Sequence, residues 1–282
     1  MTFAGIEDKY TKSDSSKIWL QSIAYDGTST WRKGADKGFS AFLEASQHLE
    51  LFDIETQSEV YRNGIHILPE IHGSSSPESL YNEIYNTSLE LLKKNKFLTF
   101  FGGEHSISIG IIRAFYEHFN ELTILHLDAH ADLRPSYLGS RYNHACALHD
   151  ASQNANLVQV GIRSMDKSEL KYMNNEQCFF AEKMRQGTWM KKSIEKMGNQ
   201  VYITLDLDVL DPSVMPSTGT PEPGGISWET LISYLSKIFS EREVVGFDIV
   251  ELAPIPELKA PDFLAAKLYY KMLSYKFFPH GK

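Results

Sequence analysis

Short apolar segments alternate along the chain with longer segments of helical periodicity. The apolar segments are rich in branched and aromatic residues, and they occupy residues 18–20, 97–101, 122–127, 157–160, 201–205 and 244–247. Two intervening segments, 107–118 and 228–239, repeat apolar residues with the spacing of an amphipathic helix. Nearly continuous apolar strands that alternate with helices are typical of a parallel sheet covered on both faces. The pattern therefore predicts an α/β fold with a mainly parallel sheet.

No internal repeat, low-complexity tract or flexible linker divides the sequence. The segment 73–77 comes closest to a break, but Ser76 followed by Pro77 fits the N-cap and first residue of a helix better. Ser227 is a second N-cap candidate, directly before the segment 228–239. We therefore expect a single domain over residues 1–282.

The composition disfavours several classes of function. The 282 residues include 28 Lys and Arg against 36 Asp and Glu, and the net charge of −8 argues against nucleic acid and anionic membranes as partners. Two cysteines cannot build a disulfide framework or a four-thiolate metal site. The first residues lack the basic and apolar character of a signal peptide, and no apolar run approaches the roughly 20 residues of a membrane span. We expect a cytoplasmic protein.

Three polar clusters begin where apolar segments end. They are residues 102–106 (Gly-Gly-Glu-His-Ser), 128–132 (Asp-Ala-His-Ala-Asp) and 206–208 (Asp-Leu-Asp). In open parallel sheets the chemistry collects at the carboxyl ends of the strands, which is where these clusters are expected.

Alternation along an extended chain brings the polar side chains of these clusters together. Residues i, i+2 and i+4 face the same way, so the carboxylates and the histidine of 128–132 converge, as do the two carboxylates of 206–208. His105 follows a Gly-Gly pair that permits a sharp bend, and it can close the same site. The predicted metal ligands are His105, Asp128, His130, Asp132, Asp206 and Asp208.

The charge of this ligand set predicts two ions. Four buried carboxylates without counter-charges would repel one another or bind protons, and two divalent cations balance them. Oxygen and imidazole ligands without a thiolate favour Mn²⁺ over Zn²⁺. Two such ions roughly 3.5–4 Å apart would hold a hydroxide between them that is nucleophilic near neutral pH.

These residues resemble the ureohydrolase family, which includes arginases and agmatinases. The family is marked by Gly-Gly-Asp/Glu-His-Ser, Asp-Ala-His-x-Asp and Asp-x-Asp-x-Leu-Asp-Pro, and the matching residues are 102–106, 128–132 and 206–212. Two further blocks match in order, at 219–225 (Gly-Thr-Pro-Glu-Pro-Gly-Gly) and 246–251 (Gly-Phe-Asp-Ile-Val-Glu). The similarity extends over most of the chain.

The resemblance implies a three-layer α/β/α sandwich, two Mn²⁺ ions per chain, and hydrolysis of a small guanidino substrate to urea and an amine. It implies that His105, Asp128, Asp132 and Asp206 hold one ion. It assigns Asp128, His130, Asp206 and Asp208 to the other, so that Asp128 and Asp206 bridge the pair. It also implies a homo-oligomer, a trimer or a hexamer.

Three residues are predicted to be catalytic. Glu251 follows an apolar segment, and its carboxylate can bind a guanidinium through two hydrogen bonds. Asp132 can accept a hydrogen bond from the hydroxide and orient it. The leaving amine needs a proton, which suits a histidine; His144 matches the family pattern, and His149 is the alternative.

Two more ionisable residues are expected to be structural: His126, inside the apolar segment 122–127, and Asp248, directly after the segment 244–247. His126 is expected to be buried and hydrogen-bonded, and Asp248 to be a packing or supporting carboxylate rather than a ligand.

Features near the substrate tail favour agmatine, giving putrescine, over arginine. Glu104 occupies a position where arginases usually carry Asp, and the block 219–225 resembles the agmatinase version. The loop after Asp132 lacks the Asn with which arginases hold the amino-acid end of their substrate. Arg134 in that loop would attract a substrate carboxylate if it pointed inward, whereas Asp166 could bind a substrate amine.

Other functions stay open on the same residues. Arginase, guanidinobutyrase and formiminoglutamase activities are the alternatives on the same scaffold. A dinuclear phosphoesterase would also carry Gly-Asp and Gly-Asn-His clusters, which the sequence lacks. A non-enzymatic, metal-binding paralogue is disfavoured because all six predicted ligands are intact.

Overall fold

A nine-stranded sheet forms the centre of the fold in a computed structural model that describes residues 1–73, 76–184 and 187–279. Its strands are β1 (Ile18–Ala24), β2 (Ile65–Ile67), β3 (Ile71–His72), β4 (Phe97–Gly102), β5 (Thr123–Leu127), β6 (Asn156–Val160), β7 (Cys178–Phe179), β8 (Gln200–Asp206) and β9 (Glu243–Val250). Their order is β2-β1-β4-β9-β8-β5-β6-β7, with β3 also beside β1. Every pairing between these strands is parallel.

Helices cover both faces of the sheet. Within the described residues they are α1 (Gly38–Ser46), α2 (Pro77–Leu92), α3 (Ser108–His118), α4 (His149–Asn154), α5 (Trp189–Glu195), α6 (Trp228–Glu241) and α7 (Ala260–Phe277). Side chains of α1, α5, α6 and α7 share one apolar core with one face, and those of α2, α3 and α4 share a second core with the other. The predicted three-layer α/β/α sandwich with a mainly parallel sheet is confirmed.

The apolar character of the central strands follows from this double cover. All residues of β4 and β5 are buried, as are all but the first of β8. Because neither face meets solvent, these strands carry apolar residues in succession rather than in alternation. The polar residues that do occur inside them, such as His126 and Thr204, therefore need hydrogen-bond partners within the protein.

Both predicted helix N-caps are present. The Ser76 hydroxyl accepts a hydrogen bond from the Ser79 amide at the start of α2, and the Ser227 hydroxyl accepts one from the Thr230 amide at the start of α6. Ser74 and Ser75 of the predicted turn lie outside the described residues. No helix of the described chain has the length and apolar character that crossing a membrane requires.

The sheet topology brings distant parts of the sequence to one edge. Strands β4, β9, β8 and β5 are neighbours, and in a parallel sheet their carboxyl ends lie side by side. The chain that leaves β4 passes very close to β1: a Cβ at Gly103 would lie 1.7 Å from the carbonyl oxygen of Tyr25, so only glycine fits. After this close approach, the chain forms a single 3₁₀ turn that starts at His105.

Candidate active site

A cavity of about 250 Å³ opens at this edge of the sheet. Seven of the eight predicted site residues line it, and they are His105, His130, Asp132, His144, Asp206, Asp208 and Glu251. The eighth, Asp128, is fully buried beneath the cavity and contacts both histidines of the predicted ligand set. The structure therefore brings together all the residues that the sequence placed in one site.

His105 lies at the centre of one group of carboxylates. Its Nδ1 is 3.0 Å from Asp128 Oδ2, 3.3 Å from Asp206 Oδ2 and 3.4 Å from Asp132 Oδ2. This nitrogen is buried and makes no hydrogen bond. A buried imidazole nitrogen that faces three carboxylates without a hydrogen bond has the surroundings of a metal ligand.

His130 belongs to a second group beside the first. Its Nδ1 is 2.9 Å from Asp208 Oδ2 and 3.6 Å from Asp128 Oδ1, so Asp128 takes part in both groups. Backbone amides fix the carboxylates: the His130 amide donates to Asp128 Oδ1, the Ala129 amide to Asp208 Oδ1, and the Asp208 amide to Asp206 Oδ1. These hydrogen bonds hold the acidic oxygens in place against their mutual repulsion.

The electrostatics of the two groups fit divalent cations. Burial and the charges of Asp208 and Asp128 raise the pKa of Asp206 well above its usual value, and burial likewise raises the pKa of Asp208. Burial also opposes ionisation of Asp128, but the neighbouring His126 holds its pKa well below the usual value. Cations between such carboxylates would remove the repulsion that raises these pKa values.

His126 supports Asp128 from behind. Its Nε2 is 2.7 Å from Asp128 Oδ2, and its Nδ1 is 3.0 Å from the amide nitrogen of Gln159. That amide nitrogen also donates to the carbonyl of Ala131, which identifies it as the donor. The His126 Nδ1 therefore accepts a hydrogen bond and its Nε2–H donates to Asp128. Although His126 lies near Asp128 and His105 in a cluster of metal-ligating residue types, both its nitrogens are engaged.

Asp248 supports His105 through a hydroxyl group. Its carboxylate accepts hydrogen bonds from Thr204, Ser108 and Tyr202, at 2.7, 3.0 and 2.7 Å. The Thr204 oxygen lies 3.0 Å from His105 Nε2. Because the Thr204 proton points to Asp248, its oxygen accepts the Nε2–H of His105. Nδ1 then carries the lone pair that faces the carboxylates.

Sequence reasoning missed Gln159 and Thr204. Each is a buried polar residue inside the apolar segment of a strand, 157–160 in β6 or 201–205 in β8. That contrast was the available signal, because a buried polar side chain must find a partner.

Glu251 and Asp132 stand on strained backbone at the cavity wall. Their φ angles are 67° and 53°, in the left-handed region that residues with a side chain rarely adopt. The His105 amide donates to Glu251 Oε1 at 2.8 Å. Burial and the nearby charge of Glu104 raise the pKa of Glu251 well above its usual value, so a cationic partner would favour its ionised form.

The two histidines considered for proton transfer lie in different places. His144 lines the cavity, and its Nδ1 faces the hydroxyl of Thr28. His149 lies outside it, at the start of α4, where Nδ1 is 2.9 Å from the carbonyl of Leu133 and the ring packs edge-on against Tyr172. The geometry favours His144 for a role at the cavity.

Comparison with known proteins identifies the family. A sequence profile of the Arginase family matches residues 16–274. This chain belongs to the arginase family. The N(1)-aminopropylagmatine ureohydrolase of Thermus thermophilus is 36% identical to it, over 95% of this chain and 93% of the relative. The agmatinase of Halalkalibacterium halodurans is 33% identical, over 92% of each chain.

Solved structures of the arginase family share the fold. The agmatine ureohydrolase of Thermoplasma volcanium has a TM-score of 0.87 at 26% identity, covering 98% of this chain and 95% of its own. The arginase of Bacillus caldovelox has a TM-score of 0.76 at 22% identity, covering 92% and 98%. The expectation of a ureohydrolase-family enzyme close to the agmatinases is confirmed. The arginase family is one of binuclear metal enzymes, in agreement with the His and Asp cluster found here.

One part of the cavity wall carries the residues considered for the substrate tail. Arg134 does not point freely inward: its Nε is 3.8 Å from Glu169 Oε2, and its guanidinium stacks over the Tyr137 ring at 4.4 Å. Asp166 stands at the cavity wall, where one of its oxygens caps a 3₁₀ turn by accepting the Ser168 amide. Glu169, a buried carboxylate of the same turn, was missed by the sequence analysis.

Proposed function

We propose that this chain is a dimanganese amidinohydrolase that hydrolyses a guanidino compound with a cationic tail to urea and an amine, with agmatine, which gives putrescine, as the first expected substrate. The observation that carries the proposal is the placement of Glu251 and His144 on the wall of a cavity whose floor is the carboxylate and histidine cluster. A carboxylate for a guanidinium, a proton carrier and a metal-binding floor are the parts that this hydrolysis needs.

The two groups of side chains suggest how the ions are held. His105, Asp128, Asp132 and Asp206 would hold one ion, and Asp128, His130, Asp206 and Asp208 the other. Carboxylate and imidazole donors without a thiolate suit Mn²⁺. When bound, the ions lower the pKa of a water molecule enough to make it a nucleophile near neutral pH.

The protein's own groups orient the substrate and move the proton. Glu251 is fixed by the His105 amide, and its carboxylate accepts N–H groups of the planar guanidinium, which turns the central carbon towards the floor of the cavity. Asp132 accepts a hydrogen bond from the attacking water. His144 supplies the proton that the amine needs when the C–N bond breaks.

The charges on the part of the cavity wall that carries Arg134, Asp166 and Glu169 favour a cationic tail. Arg134 is paired with Glu169 and stacked on Tyr137, so Asp166 and Glu169 together outweigh its charge. A net negative wall attracts an ammonium and repels a carboxylate. N(1)-aminopropylagmatine is the second candidate substrate, because the Thermus thermophilus relative is named for it and its longer tail also ends in an amine.

The test is urea release by the Mn²⁺-loaded protein from agmatine, N(1)-aminopropylagmatine, arginine and 4-guanidinobutyrate, with formamide release from formiminoglutamate measured in parallel. We expect turnover of one or both cationic-tail substrates. The matched control is Glu251→Gln, which keeps the side-chain shape and should retain both ions, measured by elemental analysis, while turnover falls. Preference for a carboxylate-bearing substrate would overturn the tail assignment. If protein with two bound ions hydrolyses none of these substrates, the proposed enzymatic activity is overturned.

The proposal extends to the assembly, a homotrimer or homohexamer as the family resemblance implies. Light scattering coupled to size-exclusion chromatography measures the mass directly, and a monomer would contradict it.

A further inference from the structure

Glu104 is a fully buried carboxylate that none of the steps above uses. It lies between two loops and accepts hydrogen bonds from four groups. These are the backbone amides of Thr28 and Ser106, at 3.3 and 3.2 Å, and the hydroxyls of the same two residues. The two amides can only donate, and one points to each carboxylate oxygen. Both carboxylate oxygens of Glu104 therefore accept hydrogen bonds.

Capping of the 3₁₀ turn explains only half of these contacts. The Ser106 amide and hydroxyl belong to the turn that starts at His105, where Glu104 is the N-cap. Thr28 comes from the loop after β1, far away in the sequence, and its hydroxyl oxygen lies 2.9 Å from both oxygens of Glu104. A cap needs no such partner, so the contact between Thr28 and Glu104 calls for another explanation.

The Thr28 hydroxyl joins Glu104 to His144. A hydroxyl has one proton, and the carboxylate of Glu104 receives it, so the Thr28 oxygen can only accept on its other side. There it accepts the backbone amide of His144 at 2.9 Å and faces His144 Nδ1 at 3.3 Å. A lone pair that faces a ring nitrogen is favourable only if that nitrogen carries the hydrogen.

We propose that Thr28 and Glu104 are positioning residues that hold neutral His144 in the tautomer with its proton on Nδ1, so that Nε2 is the atom that moves the proton. During the reaction Nε2 takes a proton from the attacking water as the C–O bond forms. It returns that proton to the leaving nitrogen as the C–N bond breaks. The Nδ1–H group keeps its hydrogen bond to the Thr28 oxygen throughout. The inference rests on the proposed function for the role of His144, but not for its tautomer.

The tautomer can be measured without any substrate. Solid-state ¹⁵N NMR of protein labelled at its ten histidines distinguishes the protonated from the unprotonated ring nitrogen, and His144→Asn identifies the signal. Zn²⁺ or Mg²⁺ replaces paramagnetic Mn²⁺ in these samples. We expect Nδ1–H in the wild type and in Thr28→Ser, and a shift towards Nε2–H in Thr28→Val, which keeps the shape and removes the hydroxyl. Nε2–H in the wild type would overturn the inference, whatever the enzyme hydrolyses.

Kinetics test whether the tautomer matters for turnover. Thr28→Val should lower kcat by on the order of 10- to 100-fold, the usual size of effects transmitted through a supporting hydrogen bond, with KM and metal content unchanged. Thr28→Ser should restore most of the loss. In a His144→Asn background Thr28→Val should have no further effect, since it acts through His144. Multiplicative losses in the double variant would contradict a role through His144.

Discussion

Two histidines of this cavity are each supported by a hydroxyl and a buried carboxylate, but through opposite ring nitrogens. His105 donates Nε2–H to Thr204, which donates to Asp248, and its bare Nδ1 faces three carboxylates. His144 instead faces Thr28, the partner of Glu104, with Nδ1. In the proposed function, the same three-part arrangement would direct Nδ1 of one imidazole to a cation and Nε2 of the other to the cavity.

The surroundings of the two arrangements differ in a way that suits these tasks. Thr204 and Asp248 lie in the central strands β8 and β9, and His105 is 1% exposed, so this unit is sealed inside the sheet. Thr28 lies in the loop after β1, and His144, the first residue of a short 3₁₀ turn between strands, lines the cavity. A metal ligand needs a fixed direction, which strands provide. A proton carrier needs access to the reacting atoms, and loops on a rigid sheet provide it.

Removal of the residue common to both ligand groups should have the largest effect. Asp128→Asn keeps the shape of the side chain but takes away the charge that faces both His105 and His130. We expect loss of bound metal and a fall in kcat on the order of 10³-fold or more, because no activated water remains. Elemental analysis and urea release measure the two effects. Full metal content with full turnover would show that the cluster is not the catalytic floor.

The next prediction separates the two supporting hydroxyls. Thr204→Val should weaken metal affinity by about 10- to 100-fold, because His105 loses the acceptor that fixes its tautomer. Thr28→Val should leave metal affinity unchanged. Metal titration of both variants, with Thr204→Ser and Thr28→Ser as matched controls, makes the contrast quantitative. Equal losses of affinity in the two valine variants would show that the two arrangements serve the same purpose.

The sequence could predict the two imidazoles but not what supports them. His105 and the acidic clusters follow apolar strands, so their place at one sheet edge follows from topology. Thr204 and Gln159 stand out in the sequence only as polar residues inside apolar segments, and Thr28 is a polar loop residue; their partners come from other strands and loops. Their roles depend on distances that only the packed sheet defines.

The sequence also could not show which of two residues of the same type lies in the cavity. His144 and His149 are only five positions apart in the sequence. His144 lines the cavity, whereas His149 begins α4 and its ring nitrogen lies next to the Leu133 carbonyl. Arg134 could be assigned only once its contacts with Glu169 and Tyr137 were visible. Nothing in a lone arginine of a loop indicates which way it faces.

A smaller effect is expected at the part of the cavity wall that carries Arg134, outside both supporting arrangements. Arg134→Ala makes this wall more negative, so the KM for agmatine should fall by a few-fold, in keeping with the roughly 0.2–1 kcal/mol of a partly exposed ion pair. The change should shrink as salt is added. Arg141→Ala, in a separate cavity, is the matched control. A gain in turnover of arginine or 4-guanidinobutyrate would contradict the assignment.

The smallest effect concerns a carboxylate with a similar set of donors but without the burial. Asp211 accepts the amide and hydroxyl of Ser213 and the amides of Gly224 and Gly225, and these hydrogen bonds lower its pKa to about 2. Burial instead raises the pKa of Asp248 and of Glu104, although each also accepts several hydrogen bonds. At Asp248 and Glu104, burial therefore outweighs the hydrogen bonds and reverses the direction of the shift.

The pH dependence of the free energy of unfolding tests the assignment for Asp211. A carboxylate whose pKa is lower in the folded than in the unfolded protein stabilises the fold above its unfolded pKa, near 4, and this contribution is lost as the pH falls towards 2. Asp211→Asn should therefore lower the urea midpoint modestly at pH 6, and the difference from the wild type should shrink steadily between pH 4 and pH 2. A difference that stays constant over that range would show that the Asp211 hydrogen bonds do not depend on its charge.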